Sequence, residues 1–279
     1  MLDALKTFIA GFNIKMNEVT RNYEKAGEPL TDRELNTIYL QAVHAYGSKV
    51  KKQLVFDIID SENTARYNPF VDFFAANASK RPKGLIDELI TCIESNNHDF
   101  FYIANFLRKW LLSIIGSMHY DYSVICLVLT GAQGIGKTNF FRQLLPDELQ
   151  GYYGETKLDA GKDDEILMCK KIILCDDEFG GKSKQEAKKL KELSSRKTFT
   201  IRKPYGKVHE ELRRLAVLCG TSNESEIIND PTGNRRIIPI DVIKIDWEKY
   251  EAIDKTELLV ELYNAWRANP QGWYLSGQD

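Results

Sequence analysis

The sequence predicts an α/β protein, in which a mostly helical N-terminal region precedes a domain built on a parallel sheet. Short apolar runs that alternate with helical patterns are typical of parallel sheets covered by helices. The strands predicted from such runs are 123–130, 171–175, 215–221 and 236–243. Upstream, apolar residues at helical spacing predict helices over 85–93 and 103–115. We therefore expect a helical region at 1–120 and an α/β domain at 121–279.

Local patterns define further elements. Residues 31–34 (Thr-Asp-Arg-Glu) form a capping-box sequence ahead of apolar residues at helical spacing, so a helix is predicted to begin there. A final helix is predicted at 256–268. Residues 12–23 fit either a pair of strands or a helix, and both alternatives stay open.

Composition places the chain among ordinary globular proteins, with 43% hydrophobic and 28% charged residues among 279. The formal net charge is −2, so the molecule as a whole does not indicate a polyanionic partner. Apolar runs stay shorter than a membrane span, and the first residues lack the pattern of a secretory signal. The five cysteines lack C-x-x-C spacing, which favours buried, reduced thiols and a cytoplasmic location.

A phosphate-binding motif follows the first predicted strand. The residues Gly131-Ala132-Gln133-Gly134-Ile135-Gly136-Lys137-Thr138 match the P-loop pattern G-x-x-x-x-G-K-[ST]. Glycines let the backbone curl so that its N–H groups surround phosphate oxygens, and the following helix adds its positive end. Lys137 is expected to reach the β- and γ-phosphates, and the Thr138 hydroxyl to hold Mg²⁺. The alternative is a tight turn without a ligand.

The predicted nucleotide contacts are Gly131, Gln133, Gly134, Ile135, Gly136, Lys137, Thr138 and Asn139.

An acidic cluster ends the second predicted strand, where Asp176, Asp177 and Glu178 follow the run 171–175. This is the Walker B pattern, in which an Asp orients Mg²⁺ and a neighbouring Glu polarises the attacking water. We favour Asp177 as the metal-side residue and Glu178 as the base, with Asp176 left open as a second metal candidate. A solvated acidic strand end is the alternative.

Polar residues also follow the third strand. Asn223 lies just beyond it, where its amide is expected to align water or sense the γ-phosphate. Arg235 and Arg236 lie at the start of the fourth strand. Paired arginines at such a position are usually exposed or salt-bridged, but in a ring ATPase one of them can reach a neighbour's γ-phosphate as an arginine finger.

The stretch 182–214 is strongly basic, with twelve lysines and arginines against four glutamates and a net charge of +8. Alternation at 198–202 followed by a Pro-Tyr-Gly turn predicts a β-hairpin with a basic, aromatic tip. Basic side chains bind phosphates, and an aromatic ring stacks on bases. A solvated basic surface is the alternative.

Taken in order, these motifs resemble one family. The P-loop, the acidic strand end, the hairpin sequence at 202–207, the strand end at 220–223 and the segment 232–236 resemble the virulence-associated protein E (VapE-like) family of phages and mobile elements. That family is similar to superfamily 3 helicases. The resemblance implies an AAA+-like P-loop NTPase fold.

The same resemblance implies a hexameric ring ATPase that uses ATP and Mg²⁺ and acts on single-stranded or forked DNA during replication of a mobile element. It implies catalytic roles for Lys137, Asp177, Glu178 and Asn223, and an arginine finger at Arg235 or Arg236. It places the hairpin in the ring's channel. The DNA contacts expected there are Arg202, Lys203, Tyr205, Lys207 and His209.

Two other functions fit parts of the sequence. A P-loop kinase of small molecules would use the same phosphate motif, although it gives the basic hairpin no role. A DNA-binding assembly factor would use ATP only to order its subunits, although Glu178 then has no function.

Overall fold

The computed structural model describes residues 1–158, 161–180, 184–202, 209–224 and 236–275. The chain divides into two compact units, Met1–Ala75 and Ala76–Asp279. Within the described ranges, none of the helices combines the length and the apolar composition that a membrane span requires.

The first unit combines a small sheet with helices. Its elements are α1 (Leu2–Ala10), β1 (Lys15–Asn17), β2 (Tyr23–Lys25), β3 (Glu28–Pro29), α2 (Asp32–Tyr46), α3 (Lys52–Ile59), β4 (Ala65–Tyr67) and α4 (Pro69–Ala76). The strand order is β3-β2-β1-β4, and β1 is antiparallel to β2. Of the two alternatives for residues 12–23, the strand pair is therefore the one observed. The predicted capping box is confirmed, because Thr31 Oγ1 accepts from the Glu34 amide while the Glu34 carboxylate accepts from the Thr31 amide.

The second unit carries the larger sheet. Its elements are α5 (Leu85–Thr91), β5 (Ile93–Glu94), α6 (Phe100–Met118), β6 (Cys126–Thr130), α7 (Lys137–Arg142), β7 (Tyr153–Glu155), α8 (Lys162–Lys170), β8 (Ile173–Asp176), α9 (Lys184–Ser195), β9 (Thr198–Arg202), β10 (His209–Arg213), β11 (Val217–Ser222), β12 (Ile237–Asp241), β13 (Lys244–Ile245), α10 (Trp247–Ala252) and α11 (Lys255–Ala268). A 3₁₀ turn at Asp147–Tyr152 precedes β7.

Five parallel strands form the sheet, in the order β12-β6-β11-β8-β7. Every residue of β6, β8 and β11 is buried, as expected for parallel strands covered by helices on both faces. This confirms the predicted α/β fold class. The four predicted strands are present as β6, β8, β11 and β12, whereas the edge strand β7 has only three residues and no apolar run that would predict it.

Helix α6 packs directly against this sheet. Asp99 caps its start by accepting a hydrogen bond from the Tyr102 amide. Trp110 is fully buried, and its indole N–H donates to the Leu218 carbonyl in β11 at 2.8 Å. The domain division predicted between residues 120 and 121 thus falls inside the second unit, because α6 supplies part of the sheet's apolar cover.

The outer edge of β12 is covered by residues next to the start of α6. The Tyr102 hydroxyl donates to the Pro239 carbonyl at 3.3 Å, and the Asp241 amide donates to His98 Nδ1 at 3.2 Å. The rings of His98 and Tyr102 stack 4.4 Å apart.

The predicted hairpin is present as the antiparallel pair β9 and β10. At its base, the Arg213 guanidinium donates to the carbonyls of Ser117 and Asp121 at 2.9 and 3.2 Å. Arg214 is fully buried and donates to the carbonyls of Ser194 and Ala216 at 2.5 and 3.1 Å. Burial lowers the pKa of Arg214 to about 10. The base of the hairpin is therefore anchored to α6, to α9 and to the residue before β11.

The five cysteines are buried thiols, as predicted. Burial raises the pKa of Cys169 to about 12 and that of Cys92 to about 11. Neither thiol therefore ionises near neutral pH.

Candidate nucleotide-binding site

The candidate motifs meet at one edge of the sheet. Thr130 at the end of β6 is in register with Ser222 of β11, and Gly220 of β11 is in register with Asp176 of β8. Because parallel strands end at the same edge, the segments that follow these strands are neighbours there. These segments are the P-loop after β6, the acidic cluster at the end of β8 and Asn223 after β11.

The P-loop backbone requires its glycines. Gly131, Gly134 and Gly136 have φ angles of 133°, 87° and 94°, in the region that favours glycine. A Cβ at Gly131 would lie 2.1 Å from the Val242 carbonyl oxygen, and one at Gly136 would lie 2.3 Å from the Trp247 ring. The segment after β12 therefore leaves no room for side chains on this part of the loop.

Lys137 lies across the loop and is only 6% exposed. Its ammonium donates to the carbonyls of Gly131 and Ala132 at 2.8 and 2.7 Å and to the side-chain oxygen of Asn223 at 3.1 Å. Burial lowers the pKa of Lys137, since the charged form loses hydration. The structure thus brings two of the predicted catalytic residues, Lys137 and Asn223, into direct contact.

Thr138 is linked to the neighbouring strand ends by hydroxyl contacts. Its Oγ1 lies 3.4 Å from Oγ1 of Thr221, which donates to the Asp177 carbonyl oxygen at 2.9 Å. Mg²⁺ prefers oxygen ligands such as hydroxyl and carboxylate groups, so the side chains of Thr138 and Asp177 suit that ion. Hydroxyl contacts thus link Thr138 through Thr221 to the backbone of Asp177.

Burial distinguishes the two aspartates. Asp176 is fully buried, and its two carboxylate oxygens accept from the amides of Leu158 and Glu178 at 3.1 and 3.2 Å. Asp177 is exposed at the strand end. Since the carboxylate oxygens of Asp176 already accept hydrogen bonds from backbone amides, this arrangement favours Asp177 as the residue that faces a metal ion.

Glu178 is also exposed, and it forms an ion pair with Lys157 at 2.5 Å. The hydrogen bond and the charge of Lys157 lower the pKa of Glu178, and Glu178 in turn raises the pKa of Lys157. The carboxylate is therefore held in its ionised form, which is the form that accepts a proton from water.

Arg236 lies at the opposite edge of the sheet. It precedes β12, and its carbonyl accepts from the amide of Cys126, the first residue of β6. Its guanidinium donates to Ser195 Oγ at 2.5 Å. Five strand residues separate this edge from the P-loop, a distance of about 16 Å. Within one chain the structure therefore does not bring Arg236 to the P-loop, and Arg235 lies outside the described residues.

The predicted DNA contacts are only partly within the described residues. Arg202 and His209 are the last paired residues of the hairpin strands. Lys203, Tyr205 and Lys207 lie beyond them, outside the described ranges. The hairpin strands are thus defined, and the roles assigned to its tip stay predictions.

The model of the virulence-associated protein E-like domain matches residues 81–279 of this chain, which is well over half of it. The chain belongs to the VapE-like family. The match begins five residues after α4 ends, so it contains the sheet and both ends of its strands.

Solved structures share the fold of this VapE-like chain. Two apo structures of the NrS-1 C-terminal region align with TM-scores of 0.56 and 0.53, at 14% and 15% identity. They cover 93% and 98% of this chain and 68% of the solved chains in both cases. At this identity the likeness concerns the fold. The search of curated proteins found no significant match.

Three residues near the site of this VapE-like chain were not predicted from the sequence. Thr221 had a weak signal, because it belongs to the polar strand end that also contains Asn223. Lys157 and Trp247 had none, since each comes close to the site only through the path of a distant segment.

Proposed function

We propose that this chain is a DNA-stimulated ATP hydrolase that works as a ring in the replication of a phage or mobile element. The observation that carries the proposal is the contact between Lys137 and Asn223 beside Asp177 and Glu178. A phosphate-binding lysine, a polar strand-end residue and two acids at one sheet edge are the parts that nucleotide hydrolysis requires.

The P-loop binds and orients the triphosphate. Its amides and Lys137 surround the phosphates, and Lys137 exchanges its contacts with Gly131 and Ala132 for phosphate oxygens. Thr138 and Asp177 would hold Mg²⁺. When bound, this ion neutralises charge on the β- and γ-phosphates.

Glu178 and Asn223 act on the attacking water. Glu178 accepts its proton, and Asn223 fixes its orientation once Lys137 has turned to the phosphate. The ion pair with Lys157 favours the ionised form of Glu178. The chemistry therefore consists of positioning, proton acceptance and charge stabilisation by neighbouring strand ends.

A second subunit completes the site in this proposal. Arg236, or Arg235, stabilises the γ-phosphate of the adjacent subunit, since its own P-loop lies at the far edge of the sheet. The hairpin contacts single-stranded DNA through Arg202, Lys203, Tyr205, Lys207 and His209. The base of the hairpin adjoins the end of α9 and the residue before β11 through Arg214.

The test is ATP turnover with and without single-stranded DNA, measured for the wild type, Lys137→Ala and Glu178→Gln, together with the oligomeric mass. We expect DNA to stimulate the wild type and to promote assembly with ATP. Lys137→Ala is expected to lose turnover by orders of magnitude, and Glu178→Gln to bind ATP without hydrolysing it.

Other outcomes select the other functions. Turnover that ignores DNA but requires a small-molecule acceptor would indicate a kinase. ATP-dependent assembly with DNA binding but without phosphate release would indicate an assembly factor. If Glu178→Gln keeps wild-type turnover, Glu178 is not the base.

A further inference from the structure

Trp247 contacts the P-loop from outside the set of predicted site residues. It is the first residue of α10, and 112 positions separate it from Ile135. A Cβ at Gly136 would lie 2.3 Å from its Cζ2 atom and 2.9 Å from its Nε1 atom. The indole therefore occupies the space that a side chain at position 136 would take.

The indole N–H also fixes the direction of one peptide group. Trp247 Nε1 donates to the Ile135 carbonyl oxygen at 3.3 Å. In a trans peptide, the carbonyl of one residue and the N–H of the next point in opposite directions. Because the Ile135 carbonyl points toward Trp247, the Gly136 N–H points away from it. That N–H belongs to the phosphate-binding stretch of the P-loop.

The position of Trp247 is set by its own helix. Asp246 caps α10 by accepting from the Lys249 amide. Tyr250 is fully buried, and its hydroxyl donates to the Phe140 carbonyl in α7 at 2.5 Å. The rings of Trp247 and Tyr250 lie 5.1 Å apart with an interplanar angle of 70°. Trp247 is thus held by contacts that do not involve the P-loop.

The same segment borders the loop at a second point, because the Val242 carbonyl occupies the space beside Gly131. Two P-loop glycines therefore face a common backing, formed by residues 242–250. Within this backing, the contact from Trp247 to Ile135 is a hydrogen bond. It therefore fixes the orientation of the Ile135–Gly136 peptide group as well as its distance from the indole.

We propose that Trp247 is a positioning residue of the nucleotide site. Its N–H holds the Ile135 carbonyl outward, which directs the Gly136 N–H to a bound phosphate, and its ring prevents the peptide from rotating. The recognised group is the polyphosphate, which is common to all nucleoside triphosphates, and the base plays no part. This inference rests on the proposed function, since it assumes that the P-loop binds a polyphosphate.

The test compares two substitutions that each remove one indole N–H. Trp247→Phe keeps a ring beside Gly136 but removes the donor. Trp266→Phe is the matched control, because the Trp266 N–H is buried without a hydrogen-bond partner among the described residues. Dissociation constants are measured for ATP, GTP and inorganic tripolyphosphate in the presence of Mg²⁺, and kcat and KM for ATP.

Because this hydrogen bond orders the Gly136 N–H before a ligand binds, Trp247→Phe is expected to weaken binding of all three ligands by one common factor of about 2 to 12, at most the worth of one neutral hydrogen bond. KM should rise by the same factor with kcat little changed. Trp266→Phe should bind all three like the wild type.

Two results would overturn the inference. The first is wild-type affinity of Trp247→Phe for tripolyphosphate. The second is a loss confined to ATP or GTP, which would mean that Trp247 contacts the base. If the variant does not fold, the indole ¹⁵N–¹H resonance of Trp247 in the wild type is followed instead, and no change on adding tripolyphosphate overturns the inference. Failure of the proposed function is distinct, because it would appear in the wild type itself, as absent ligand binding or absent DNA-stimulated turnover, and not as a difference between the wild type and Trp247→Phe.

Discussion

The Lys137 ammonium lies 3.1 Å from the side-chain oxygen of Asn223 and thereby joins the P-loop to the end of β11. A phosphate that binds Lys137 competes with this contact, so nucleotide binding and the position of Asn223 are linked. The link makes Asn223 a residue whose substitutions should affect binding and turnover differently.

Asn223→Asp is expected to weaken ATP binding, because a carboxylate at this distance holds the ammonium more strongly than an amide does. Asn223→Ala should leave binding near the wild-type level but lower kcat by roughly 10²-fold, the usual cost of losing one aligned polar group. Calorimetry for binding and phosphate release for kcat separate the two effects. Equal losses of both quantities in both variants would contradict this role.

Lys157→Met should change the pH dependence of hydrolysis. Lys157 lowers the pKa of Glu178, and the base works only when ionised, so turnover falls as the pH drops through that pKa. Without Lys157 the pKa of Glu178 rises, and the acidic limb of kcat/KM should move to higher pH. Arg108→Met, which removes a partly exposed cation paired with Asp87 away from the site, is the control and should leave the limb unchanged. An unshifted limb in Lys157→Met would show that Glu178 does not control it.

The tip of the hairpin is expected to bind DNA phosphates. Lys203→Ala combined with Lys207→Ala should weaken binding of single-stranded DNA and flatten its dependence on salt, since fewer counterions are released. Lys49→Ala with Lys51→Ala removes the same charge from exposed positions in the first unit and serves as the control. Binding is measured by fluorescence anisotropy across a range of salt concentrations.

Tyr205→Ala should weaken the same binding by roughly 1–3 kcal/mol without changing the salt slope, because stacking releases no counterions. Basal ATPase should persist in the tip variants while stimulation by DNA is lost. Wild-type protein that binds no DNA at low salt in any nucleotide state would remove the basis for a DNA-directed function.

A shared active site predicts complementation between subunits. Arg236→Ala subunits should bind ATP but fail to support hydrolysis by their neighbours, and Lys137→Ala subunits should fail to hydrolyse ATP themselves. Mixing the two should restore part of the activity, because some interfaces then contain one intact Lys137 and one intact Arg236. Arg235→Ala is tested in the same way. Absence of recovery at every mixing ratio, with assembly verified by mass, would exclude an arginine finger at either position.

The sequence predicted the sheet well where strands are long and buried. The apolar runs of β6, β8 and β11 stand out because parallel strands covered on both faces contain few polar residues. Strand β7 gave no such signal, since three residues at the edge of a sheet need no apolar run. Loop positions such as Gly131 and Gly136 were predictable because a motif with a physical function fixes them.

Contacts between distant segments could not be predicted in the same way. Whether Asp176 or Asp177 faces solvent depends on where β8 ends and on the amide of Leu158, which lies 18 residues away. Lys157 meets Glu178 because the chain leaves β7 beside β8. Trp247 reaches Ile135 only through the packing of α10 on α7. None of these contacts produces a periodic pattern in the sequence from which it could be predicted.

The covered edge of β12 has a consequence for how copies of this chain can meet. Pro239 has no N–H to offer an incoming strand, its carbonyl already accepts from Tyr102, and the Asp241 amide is taken by His98. An incoming strand would therefore find few backbone partners along this edge, so the β12 edge resists strand addition and the aggregation that follows from it. Copies that meet at this edge would do so through side chains, and such contacts can separate and rejoin without breaking a sheet.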